Sequence, residues 1–262
     1  MDYREADKLL FSVIEECGES LSKTLHETQF PRTYSALLLL MTKAATLKVA
    51  MYDLLDALNI YPFKVVFRSY CEHYLKFLYI WYRFLDEKSD DAGRDYYAYC
   101  GGRERIDFAK AFKAAHGILG QEVVVKYAEF AHEIVPGLDN ISRKELEEKS
   151  DHFRYRNIIR YIADKAPQLV NEQCQFLVTI IPKYAYLSAY VHGGPTSNRI
   201  IDELSSDAGL ESAREEASVV FMMNASILMF IAMAMSREFP SLSEIAGRAN
   251  YVVKQYLKSS NE

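Results

Sequence analysis

Apolar residues recur every three to four positions along nearly the whole chain and almost nowhere alternate singly, so the pattern predicts helices and no sheet. Residues 2 to about 25 form a first amphipathic helix, with Leu9, Leu10, Val13, Ile14, Cys17 and Leu21 on one face. Pro31 interrupts, and a second helix covers residues 34–58, punctuated by Asn59 and Pro62. The third, residues 61–85 (YPFKVVFRSYCEHYLKFLYIWYRFL), is too apolar and aromatic for an exposed surface helix. It reads as buried, and with the second helix it forms an antiparallel hairpin.

Residues 86–105 are the most polar part of the chain and read as a loop with a short helix over 95–99. Shorter helices follow at 106–116 and 121–134, separated by Gly117 and Gly120 and closed by Pro136 and Gly137. Ser142-x-x-Glu145 and Ser241-x-x-Glu244 are capping boxes that open two further helices. Residues 154–165 are helical, and the next helix runs from Pro167 to Val191 with a kink or break at Pro182. Residues 219–235 carry no charge and are just long enough to span a bilayer, yet the central helix of a large bundle shows the same pattern. The expectation is therefore a single all-α domain over residues 1–262, a bundle of roughly eight to ten helices around one core helix that is apolar all round.

A net charge of −5 removes any global positive field, so contact with nucleic acid would have to be local. Cys17, Cys71, Cys100 and Cys174 are far apart with no C-x-x-C, which suits reduced thiols rather than disulfides or zinc. The acidic start lacks a charged-then-apolar leader, so the expected compartment is the cytoplasm. The 19 Tyr and 14 Phe can serve as stacking platforms or as helix-packing rims. Glu129-x-x-His132 is the only Glu-x-x-His, where a di-iron bundle needs two, and no H-E-x-x-H, phosphate loop or G-x-S-x-G is present. No metal or cofactor is expected.

Three polar constellations remain. Arg68 and Glu72 stand one turn apart in the apolar third helix; they are a structural ion pair or the floor of a site. In the segment Tyr184-x-Tyr186-x-Ser188-x-Tyr190-x-His192-Gly193-Gly194-Pro195, the glycines and proline end a helix. A histidine there complements the dipole or serves as a base near neutral pH, with Ser188 and Tyr190 beside it. Arg156 and Arg160 share a helix face that is either solvated surface or a phosphate patch.

FRSYCEHYLKFLYIWY followed by YAYLSAYVHGGP resembles the family called domain of unknown function 5677, over roughly residues 35 to 235. The resemblance implies an all-helical fold of unsettled activity, with Arg68, Glu72, Ser188 and His192 at the matching positions. A second similarity is to HEPN helical domains, whose ribonuclease members carry Arg-Asn-x-x-x-His and pair as dimers. Arg156-Asn157 begins that motif, but Tyr161 stands where the histidine would be. Family-level analogy suggests a binding or effector module of a bacterial defence or toxin-type system. It would recognise a nucleotide, RNA or protein partner through a cleft near Arg68, Glu72, Ser188 and His192, as a homo-oligomer. The alternatives are a metal-independent ribonuclease with His192 as base and Arg68 or Arg156 on the phosphate, and a structural or membrane-inserting protein acting through residues 219–235.

Overall fold

The longest run of large apolar side chains becomes the element that most others touch. In a computed structural model that describes residues 1–124, 141–165, 176–192 and 206–259, this run is α3 (Ile60–Glu87). It packs against α2 (Pro31–Asp56), α4 (Asp91–Tyr99), α7 (Tyr155–Lys165), α8 (Phe176–His192) and α9 (Asp207–Met235). Also present are α1 (Tyr3–Glu27), α5 (Gly102–Ile118), α6 (Arg143–Asp151) and α10 (Ser243–Ser259), so the described residues hold ten α-helices and no strand.

The helix ends follow from their local chemistry. Asp2 caps α1, accepting from the backbone N–H of Arg4 and Glu5 at 2.8 Å each, while Glu5 returns a bond to the Asp2 N–H at 3.2 Å. Pro31 opens α2, whose cap residue Phe30 has no side-chain oxygen to offer. Asp90, from the far end of the α2–α3 hairpin, supplies it instead, accepting from the N–H of Arg32 at 3.1 Å and of Thr33 at 2.7 Å. Gly93 lets α4 approach there, because a Cβ at that position would overlap the Thr33 backbone. Only residues 57–59 join α2 to α3, which sets the two helices antiparallel as the punctuation predicts.

α9 is the core helix. Val220, Phe221, Met223, Ala225, Ile227, Leu228, Ile231 and Met235 are all sealed from solvent, packed among α1, α2, α3 and α10. By length and composition both α9 and α2 could cross a bilayer, yet two thirds of the most apolar window of α9 is covered by protein, as a bundle core requires.

Several expectations change. Most of the polar stretch 86–105 is helical, forming α4 and the start of α5. The reason is that Ala92, Gly93, Tyr96 and Ala98 give α4 a buried stripe narrow enough to be hidden by its charged neighbours. Ser142 caps α6 through the Glu145 N–H at 3.2 Å, but the Glu145 carboxylate pairs with Lys149 rather than closing the box. Ser241 lies inside a 3-10 turn, Pro240–Leu242, through which the chain enters α10, so it is not that helix's cap. α8 runs on through Pro182 without a break. Residues 121–124 are not helical, and the rest of the helix expected at 121–134, with the start expected at Pro167, lies outside the described residues.

Candidate functional site

Two tyrosine contacts set the register of α8 on α3. The Tyr61 hydroxyl donates to the Tyr190 carbonyl at 2.7 Å, and Arg68 Nη2 donates to the Tyr184 hydroxyl at 2.8 Å, so the helices run antiparallel. Arg68 and Glu72 form the expected pair, Nη1 to Oε2 at 2.8 Å. The pair is not sealed in the core, its side chains keeping 22% and 28% exposure. Lys76, one turn further along, takes the second carboxylate oxygen at 2.9 Å, so Arg68, Glu72 and Lys76 make a ladder up one face of α3.

The ladder lines a cavity of about 190 Å³ between α3, α8, the α6–α7 turn and the start of α5. Four cationic side chains, Arg68, Lys76, Arg103 and Arg154, border it against two carboxylates, Glu72 and Glu104. Tyr184 and Tyr155 stack on its wall with ring centroids 3.8 Å apart, and the Arg68 guanidinium lies 4.9 Å from the Tyr184 ring centre. Burial opposes the charge on Glu72, yet Lys76 and Arg68 outweigh it and hold the carboxyl below its ordinary range. Burial likewise works to lower Lys76, but the neighbouring Cys100 and Glu72 leave it raised. Glu72 and Lys76 are therefore both ionised at neutral pH. The two outer arginines have partners of their own on partly exposed side chains, with Arg103 3.4 Å from Glu147 and Arg154 2.8 Å from Asp151.

The other expected site residues fall elsewhere. Ser188 donates to the Tyr184 carbonyl at 3.0 Å and is not part of the cavity wall. Tyr190 is buried, its hydroxyl 3.2 Å from that of Tyr186, so it packs rather than presenting a face to a ligand. His192 is the last residue of α8, eight positions beyond Tyr184, which separates the two by about 12 Å along the helix axis. It therefore sits by the start of α3, toward Tyr61, two turns from Arg68. Arg156 and Arg160 are exposed on α7, while Tyr155 and Ile158 of the same helix line the cavity. Among the described residues no three of His, Cys, Asp and Glu gather as a metal site.

Sequence reading missed Lys76, although the spacing Arg68-x-x-x-Glu72-x-x-x-Lys76 states the ladder outright. It also missed Arg103 and Glu104, hidden in the stretch taken for a loop. The deeply buried ion cluster is a different one. Lys64 donates to Glu216 Oε2 at 2.5 Å, and Lys183 pairs with the other oxygen, tying α3, α8 and α9 together.

No family model matches the chain, and neither a curated protein nor a solved structure is detectably similar to it. The likeness to the family of unknown function and to HEPN domains accordingly rests on the residues quoted above.

Proposed function

We propose that the protein is a binding module whose cavity takes a small phosphate-bearing ligand of the nucleotide class. The observation that carries this reading is a local concentration of cations: a chain of net charge −5 gathers Arg68, Lys76, Arg103 and Arg154 around one cavity, with Glu72 and Glu104 in its wall and Glu147 and Asp151 paired to the two outer arginines. The guanidinium of Arg68 is held in place by Glu72 and the Tyr184 hydroxyl, and those of Arg103 and Arg154 sit at a half-exposed mouth where a dianion can draw them from weak partners. A small concave site suits a nucleotide better than a folded RNA or a protein surface.

Thermal unfolding with inorganic phosphate and with nucleoside monophosphates tests this. A ligand at 100 times its Kd adds about 2.7 kcal/mol, which for a chain of this size raises Tm by about 5 to 10 °C. The Arg103→Ala/Arg154→Ala double variant, altered only at half-exposed side chains, should lose most of that rise. An unmoved Tm, or a rise that survives the double variant, defeats the reading. Cleavage of single-stranded RNA that disappears in His192→Ala would instead favour the ribonuclease alternative.

A further inference from the structure

The Glu72–Lys76 pair has a second cavity beside it. This one, of about 660 Å³, shares Glu72, Lys76, Cys100 and Glu104 with the first, so the two adjoin at these side chains. Its own wall has a different chemistry. Tyr96 and Tyr97 meet edge to face with centroids 5.3 Å apart, and with Leu39 they form an apolar side. Lys43, His73 and Arg105 add nitrogen groups to the same wall.

His73 has a settled tautomer. Its Nδ1 lies 2.8 Å from the Ser69 carbonyl, and since a carbonyl only accepts, Nδ1 carries the hydrogen. The imidazole is neutral at pH 7. Burial lowers its pKa and the charges of Lys76 and Lys43 add to that, against the Ser69 bond and Glu72, which act the other way. Nε2 is thus left as an acceptor beside a cavity rich in donors, where it can receive a hydroxyl. Arg105 is fixed in place, giving its guanidinium hydrogens to the carbonyls of Ala98 at 3.1 Å and Tyr97 at 3.3 Å.

We infer that the two cavities hold one ribonucleotide, its phosphate among Arg68, Lys76, Arg103 and Arg154 and its nucleoside in the second cavity, with the base against Tyr97 and a ribose hydroxyl donating to His73 Nε2. This deepens the phosphate reading above and rests on it for the first cavity alone. A tyrosine ring and a neutral acceptor in the wall of the second cavity suit a nucleoside.

Binding to the full chain is measured by calorimetry for inorganic phosphate, ribose 5-phosphate, AMP, deoxy-AMP and adenosine. AMP should bind about ten-fold or more tighter than ribose 5-phosphate, and Tyr97→Leu, which keeps the bulk and removes the ring, should erase the difference. AMP should also bind several-fold tighter than deoxy-AMP, a preference lost in His73→Ala while affinity for inorganic phosphate stays within about three-fold of wild type. Equal binding of AMP and ribose 5-phosphate, or an AMP advantage that survives Tyr97→Leu, overturns the inference. If no phosphate compound binds, the first reading has failed and adenosine decides the second: binding that Tyr97→Leu removes upholds the nucleoside site, and no binding rejects it.

Discussion

Lys64 and Arg68 stand one turn apart on α3, each facing a glutamate, and the two pairs behave as different kinds of object. Lys64 and Glu216 keep 3% and 8% exposure and bind helices distant in sequence, whereas Arg68 and Glu72 keep 22% and 28% and belong to the same helix. Burial presses the Lys64 pKa down despite its short bond to Glu216, since removing the ammonium from water outweighs the attraction of its partner. Around Glu72 the balance runs the other way, and its carboxyl stays below the ordinary range. The lesson is that one helix can carry a lock and a socket side by side. Enclosure turns an ion pair into a registry element, while an adjoining cavity leaves it able to exchange partners.

The comparison predicts its largest effect at the lock. Glu216→Ala strands Lys64 in the core with no carboxylate, and should cost about 3 to 5 kcal/mol in denaturant unfolding. Lys64→Met/Glu216→Leu should regain most of that loss, because Lys183 is partly exposed and can turn to water. A single variant that loses less than about 1 kcal/mol would erase the distinction between the two pairs.

At the socket the same type of deletion should be milder and should change binding. Glu72→Gln should cost about 1 kcal/mol at pH 7, since Arg68 and Lys76 retain access to solvent. It should also tighten inorganic phosphate several-fold by removing a competing carboxylate from the cavity. The pH dependence follows from the lowered carboxyl. Its stabilising contribution is complete above the unfolded value, near 4.3, and is lost as pH falls through the lower folded value. Wild type should therefore lose its advantage over Glu72→Gln only below about pH 4.5, with no difference in slope between pH 6 and 8. An advantage already fading at pH 6 would place Glu72 among groups with a raised pKa and contradict the ladder.

What could be read from sequence was whatever local periodicity encodes. The three long helices, the α2–α3 hairpin, the core role of residues 219–235 and the Arg68–Glu72 spacing all follow from contacts within four residues or from a continuous apolar face. The lock could not be read that way, because Lys64 and Glu216 are 152 positions apart and each looks like an ordinary surface charge until three helices close on it. Asp90 capping α2 from 57 or more residues away escaped for the same reason. The emphasis on His192 came from a helix ending, His192-Gly193-Gly194-Pro195, whose residue types a C-cap explains without a ligand, and that on Ser188 and Tyr190 from their place one turn or less before it. α4 went unseen because its buried stripe is only four residues.

The smallest effect discriminates most finely between lock and socket. Tyr184→Phe removes the hydroxyl that accepts from Arg68 Nη2 but leaves the ring stacked on Tyr155 and under the guanidinium. Arg68 Nε is already enclosed without an acceptor among the described residues, so the side chain would lose a second bond. At a sealed position that should cost the full desolvation of a charged donor, about 2 kcal/mol or more. Beside a cavity, water takes the vacated position and the loss should stay below about 1 kcal/mol. Tyr74→Phe is the matched control: its hydroxyl sits 2.8 Å from Ser226 in the closed core, where no water can substitute, and it should cost more than Tyr184→Phe in the same denaturant titration. Equal losses at the two tyrosines would mean that Arg68 stands in the core as firmly as Lys64, and that the cavity beside it does not open to a ligand.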